Sequence, residues 1–218
     1  MSGSHFSRSS EGESAAAQPS GGRWPVWPWI VLLVVAAMLA AYQFSGTAGR
    51  AGAGEEHPGV GTRIQKMQLE PLTGGGSPVT VADLQGKVTL INFWGPYWCP
   101  PCVEEFPHLV EIEQHFRGNK QFQFLSISCS GGPGSGQEIG PLTAQFLEEH
   151  RAKFPTYRDP YQRFAQHLEQ VAKLDGFVFP TSLVVDQRGV IRGLWAGYLP
   201  GEERQVHALL ERTLREAP

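Results

Sequence analysis

The chain has 218 residues, a net charge of -3 and 18% charged residues, enough length for one domain of ordinary size with extra segments and a core that needs no disulfide staples. Lys and Arg do not exceed Asp and Glu, and no basic cluster is interleaved with aromatics, so nucleic-acid binding has no footing. Three cysteines, two of them in one short motif, exclude a disulfide framework and leave the redox compartment open.

Residues 1–23 are rich in Ser, Gly, Ala and Glu, with Phe6 their only large apolar residue besides the first Met. Such a segment buries too little to offset ordering entropy and is expected to be a disordered tail. From Trp24 to Phe44 the chain is almost wholly apolar and uncharged, close to the roughly 20 residues that cross a bilayer as a helix. Trp24, Trp27 and Trp29 at one end and Tyr42 at the other resemble interfacial aromatic belts. Pro25 and Pro28 fall in the first turns, where proline costs least, so regular helix is expected from near Trp29. The expectation for 24–44 is an uncleaved transmembrane signal-anchor. A cleaved signal peptide is the alternative, because the core from Ile30 to Ala41 is short and Gly46-Thr47-Ala48 has the small residues of a cleavage site. Arg8 and Arg23 before the segment, against Arg50 and Arg63 after it, give it no orientation. Residues 45–66, rich in Gly and Ala, are expected to be a flexible linker, which leaves 67–218 as the folded domain.

That domain opens with a hairpin around Thr73 to Ser77, a turn at Gln85-Gly86, and a strand from Val88 to Trp94. The strand feeds into Trp98-Cys99-Pro100-Pro101-Cys102, behind which Phe106, Leu109, Val110 and Phe116 recur near helical period. The cysteine pair therefore belongs on a strand-to-helix corner, with Cys99 at the helix N-terminus. There the positive end of the helix dipole favours a thiolate, and the thiolate is the form that attacks disulfides. Cys99 is the expected nucleophile, and Cys102 is near enough to resolve the mixed disulfide. Pro100 and Pro101 sit in the turn that has no use for their missing N–H. A structural disulfide and half of a zinc site are the competing readings. Zinc would need two more ligands, and the chain offers only Cys129 and scattered His residues without ligand spacing.

Phe122 to Cys129 alternates as a strand and runs into the glycine-rich loop 131–136. An amphipathic run with Leu142, Phe146 and Leu147 follows, then a short strand from Phe154 to Arg158. Asp159-Pro160 is a helix start, with Tyr161, Phe164, Ala165, Leu168 and Val171 tracing its apolar stripe. Thr181 to Asp186 and Val190 to Ala196 flank a tight turn and should pair as a hairpin. Arg204 to Leu214 closes the chain as a helix. Cys129, at the end of its strand, reads either as a small buried apolar residue or as a third redox thiol.

The Cys-Pro-Pro-Cys segment resembles the active site of the thioredoxin superfamily, and Glu105-Phe106-Pro107 behind it is similar to the membrane-anchored TlpA/ResA-like branch. The resemblance runs from about Met67 to the C-terminus. It implies an α/β fold, a thioredoxin-like mixed sheet flanked by helices, with an N-terminal β-hairpin extension and a helix-strand-helix insertion, preceded by one transmembrane helix. It also places Phe179-Pro180 at the family's cis-proline loop facing the cysteines, where Phe179 offers its backbone to an incoming peptide beside Trp98. Asn92 stands where many thioredoxins carry a buried Asp, so Glu105, with Glu104 as the second choice, is the expected proton manager; a solvated surface carboxylate is the alternative. The link Trp94-Gly95-Pro96-Tyr97-Trp98 is one residue longer than the family's, which implies a bulge at Gly95-Pro96 or a shifted register for Asn92.

The activity implied is that of a thiol-disulfide oxidoreductase on the extracytoplasmic side of the membrane. It would reduce disulfides of exported proteins, cytochrome c maturation among its roles, and draw electrons from a membrane-embedded donor. No cofactor is implied beyond the Cys99–Cys102 pair, and no metal. An oxidase or isomerase, and a non-catalytic binding or metal-chaperone module, are the rival functions.

Overall fold

The computed structural model describes residues 27–45, 54–131 and 138–216, with side chains to Met38 in the first of these segments. The tail 1–23, the first residues of the expected anchor and most of the 131–136 loop lie outside the described residues. The chain divides into two units, 1–47 and 48–218.

The first unit contains α1 (Trp27–Ser45), which starts two residues before the expected Trp29 because Pro28 fits the first turn. It carries no charged residue, and its described side chains, Trp27, Trp29, Ile30 and Leu33 among them, are exposed. Among the described residues, no helix is long and apolar enough to cross a membrane.

The second unit is a seven-stranded mixed sheet with strand order β2-β1-β5-β4-β3-β6-β7. Its strands are β1 (Gln68–Thr73), β2 (Val79–Thr80), β3 (Val88–Trp94), β4 (Phe122–Ser128), β5 (Thr156–Arg158), β6 (Thr181–Val185) and β7 (Ile191–Ala196). The helices of this unit are α2 (Pro100–Phe116), α3 (Ile139–Glu149), α4 (Arg163–Val171) and α5 (Glu202–Arg215). β3 is the central strand, parallel to β4 and antiparallel to β6, and all seven of its residues are buried. Its alternation divides the core in two. Ile91 and Phe93 pack with Leu125, Ile127, Phe164 and Leu168 on one face, while Leu90 and Trp94 pack with Phe106, Leu109, Phe146 and Leu209 on the other. The expected hairpin, β1–β2, and helix-strand-helix piece, α3-β5-α4, are both present, and their strands extend the sheet beyond β4 in the order β5-β1-β2.

Two expectations are corrected. The linker was expected to extend through residue 66, but Gly54 bridges to Leu194 and Arg63 to Val190, and Ile64 is buried against the core. Ile64 and Val60 pack on the core, and backbone hydrogen bonds such as Gly61 N–H to the Ile191 carbonyl at 2.8 Å and Ile64 N–H to the Gly189 carbonyl at 2.9 Å tie 54–66 to the sheet. The helix expected from Pro160 instead begins at Arg163, because Tyr161 and Gln162 adopt left-handed backbone at φ 58° and 56°. Asp159 still caps it, accepting hydrogen bonds from the N–H groups of Phe164 and Ala165 at 3.0 and 2.9 Å. Tyr161 leaves the predicted stripe and is 80% exposed.

Candidate active site

β3 delivers the chain to the edge of the sheet, and the five residues Trp94 to Trp98 turn it into α2. Cys99 is the residue immediately before that helix, with Pro100 and Pro101 in its first turn, and it is joined to Cys102 in a disulfide. Both sulfurs are held in the core that faces α2, Cys99 at 4% exposure and Cys102 at 1%, while the two prolines lie on the surface. On reduction, the positive end of the helix dipole and the Cys102 N–H, the first that this turn can offer because Pro100 and Pro101 have none, would favour a thiolate at Cys99.

The lengthened link folds back on itself. Tyr97 takes a φ of 61°, and Trp98 lies across Gly95 so closely that a Cβ there would meet the indole at 2.1 Å. Gly95 is therefore required by this packing. Trp98 is 38% exposed, donates its indole N–H to the Cys129 carbonyl at 3.0 Å, and packs edge-on against Phe179 with ring centroids 5.3 Å apart. The Phe179–Pro180 peptide is cis, and Thr181 Oγ1 closes the loop by donating to the Val178 carbonyl at 2.7 Å.

Asn92 pairs with Ser126 on β4 and Ser182 on β6. Beneath the cysteines Asn92, Glu105 and Ser182 form a closed polar triangle. Asn92 Nδ2 donates to Glu105 Oε2 at 3.0 Å and to Ser182 Oγ at 2.9 Å, and Ser182 Oγ donates to Glu105 Oε1 at 3.0 Å. Glu105 is one turn beyond Cys102 and only 6% exposed, so it is a buried carboxylate, and the solvated alternative does not hold. Burial pushes its pKa up to about 7, against the two hydrogen bonds that favour the anion; the nearby charges of Glu202 and Glu203 push it the same way as burial. Glu104 faces solvent. Ser182 was missed in the sequence. Its signal was one polar residue in the apolar run Ser182-Leu183-Val184-Val185, directly opposite Asn92.

Cys129 is apart from this triangle. It follows β4, its thiol pKa is raised by burial and by the charge of Asp159, and it lines a cavity of about 620 Å³ whose wall also includes Arg158, Asp159, Tyr161, Phe177 and Phe179.

A comparison with known families matches residues 59–210 to Redoxin. The chain belongs to the Redoxin family. Within it the chain is a TlpA/ResA-like member of the thioredoxin superfamily. It is 37% identical over 155 residues to the thiol-disulfide oxidoreductase ResA of Bacillus subtilis, covering 71% of this chain and 76% of that one. It is also 39% identical over 93 residues to the thiol:disulfide interchange protein HelX of Rhodobacter capsulatus, covering 39% of this chain and 48% of HelX. Among solved structures, a thiol:disulfide interchange protein of the thioredoxin family from Chlorobium tepidum superposes with a TM-score of 0.54 at 22% identity, covering 70% of this chain and 96% of that one. The Redoxin chain described here is a thiol-disulfide oxidoreductase acting on disulfide-containing proteins, and the Cys99–Cys102 pair fits that chemistry.

Proposed function

We propose that the protein is a membrane-anchored reductant of disulfides in exported proteins, cytochrome c maturation being the setting suggested by its likeness to the ResA branch. The Cys99 thiolate attacks one sulfur of a substrate disulfide, breaking that bond and forming a mixed disulfide. The thiol of Cys102 then loses its proton and attacks the Cys99 sulfur, so the substrate leaves with both cysteines reduced and the pair closes as in this structure. A membrane-embedded dithiol donor returns the pair to its reduced form. Glu105 takes the Cys102 proton; Asn92 and Ser182 hold its carboxylate in place. Trp98, Phe179 and Pro180 form the surface on which the substrate peptide seats, and Pro100 and Pro101 tune the pair by shaping the first helical turn.

The buried Glu105 supports the direction of flow. An acid with a pKa of about 7 beside Cys102, backed by Glu202 and Glu203, opposes negative charge on the reduced pair. Strong oxidants have the opposite arrangement, a stabilised reduced form. The reduction potential tests this reading, with a value near about -270 mV expected and one near about -120 mV assigning the protein to oxidation instead. Anchoring rests on the sequence, the almost wholly apolar and uncharged run from Trp24 to Phe44. Retention in the membrane after alkaline extraction, with the domain open to protease from the extracytoplasmic side, is the expected outcome. Release of a shortened soluble form would establish signal cleavage.

A further inference from the structure

α2 and α5 carry a second group of polar side chains, well away from the cysteines. His115 lies in the last turn of α2, while His207 and Glu211 are one turn apart on α5 and share a face. One ring nitrogen from each His and one Glu211 oxygen all lie within 4.8 Å of one another. The two imidazoles stand 4.7 Å apart between centroids. Phe116, buried at the end of α2, packs against both rings at 4.7 and 5.0 Å and backs them with an apolar wall. Beside them a cavity of about 360 Å³ is lined by His108, Glu111, Glu203, Arg204, His207 and Glu211. With the imidazoles neutral, its carboxylates outnumber its single guanidinium, and such a lining attracts cations.

We propose that His115, His207 and Glu211 bind one divalent cation of the zinc type, tying the C-terminal turn of α2 to α5. Two imidazole nitrogens and a carboxylate are a donor set that Zn²⁺ takes at about 2.0–2.2 Å, with water completing the tetrahedron. Ligand atoms in that geometry stand about 3.3 Å apart, so the triad must contract by about 1.5 Å. The exposed side chain of His115 is free to make that movement. No redox step is involved, since Zn²⁺ does not change oxidation state. The site is separate from the thiol chemistry, because the helix between Cys102 and His115 places them about 20 Å apart. Nothing in the sequence spacing joins His115 to α5; only the fold does.

The test is calorimetric titration of Zn²⁺ into the untagged protein with the Cys99–Cys102 disulfide closed, in a Cys129→Ser background so that no free thiol competes. One Zn²⁺ per chain is expected. Binding disappears in His207→Ala, and Glu211→Gln weakens it at least about tenfold, since losing even an outer-shell partner costs that much. Excess Zn²⁺ raises the thermal midpoint of the parent and leaves that of His207→Ala unchanged. If His207→Ala fails to fold, His115→Ala at the exposed position gives the same readout. The absence of any Zn²⁺ binding, or binding that survives loss of either imidazole, overturns the proposal. Disulfide turnover in the variants stays at the parent level, so failure here is distinguishable from failure of the redox reading.

Discussion

β3 and β4 end side by side, Trp94 opposite Ser128, and each is followed by a cysteine. After β3 the chain turns through Gly95 to Trp98 and places Cys99 at the start of a 17-residue helix. After β4 the next residue is Cys129, which continues the strand direction, donates its N–H to the Trp94 carbonyl at 2.8 Å and points its thiol toward the Ile127 carbonyl at 3.8 Å. At the strand end, desolvation and the charge of Asp159 penalise a Cys129 thiolate by more than the backbone hydrogen bond at Trp94 offsets, whereas the helix terminus supplies a favourable field. Position beyond the C-terminal end of an inner strand is common to both sulfurs; the helix is what separates a nucleophile from a packing residue.

The largest effect that would break this contrast is at the pair itself. Cys99→Ser should remove disulfide reduction altogether, as read by insulin turnover, because the serine hydroxyl is no substitute for a thiolate at neutral pH. Cys102→Ser should leave the attack intact and accumulate mixed disulfides, visible as reductant-sensitive adducts on a gel. Activity retained when both Cys99 and Cys102 are replaced by Ser would mean that Cys129 can act as the nucleophile, and the contrast drawn above would fall.

Next in size is the carboxylate below the pair. Glu105 has a folded pKa of about 7 against an ordinary value of 4.5, so between those values the native state keeps a proton that the unfolded chain has lost. Stability therefore falls as pH rises through this window, by about 3 kcal/mol, and the loss is complete above the folded pKa. Glu105→Gln should flatten that slope in denaturant titrations at pH 5 and pH 8. The same variant should lose an inflection near pH 7 in the rate at which the mixed disulfide is resolved. A slope unchanged by the substitution would mean that the buried carboxylate is not the titrating group.

Much of this was legible in the chain. The alternating run Val88 to Trp94 and the 3.6-period residues after Cys102 placed the corner correctly, because strand and helix periods are local signals. Proline at the start of α2 marked its first turn. Tyr161 departs from the apolar stripe because its left-handed backbone, φ 58°, leaves no trace in periodicity. Ile64 was lost in a Gly-rich stretch since one apolar residue sets no period. Glu105 was found by its distance from Cys102, but its burial follows from Asn92 and Ser182, which lie 90 residues apart and meet only through the β3–β6 register. Local chemistry was readable from the chain; the environment that shifts it came from long-range pairing.

Trp98 connects the two cysteine regions, and Gly95 makes room for it. Gly95→Ala puts a methyl group where the indole lies, 2.1 Å from it, and should cost about 1–3 kcal/mol as overpacking. Displacing Trp98 also breaks its hydrogen bond to the Cys129 carbonyl and its contact with Phe179. The expected signature is a several-fold higher KM for a polypeptide disulfide with little change for a small aromatic disulfide. Equal losses on both substrates would place the damage at the cysteines rather than at the peptide surface.

The smallest effect expected is the most direct check on the comparison. Cys129→Ser exchanges one small side chain for another at a half-buried position, so stability and insulin turnover should stay close to the parent. In the oxidised protein, where Cys129 is the only free thiol, alkylation by iodoacetamide should run far slower than for an unperturbed thiol, because the raised pKa leaves little thiolate. The rate should climb as denaturant unfolds the domain. Fast alkylation of the native protein would show that a strand end can activate a thiol without a helix, and Cys129 would then join Cys99 as a reactive site.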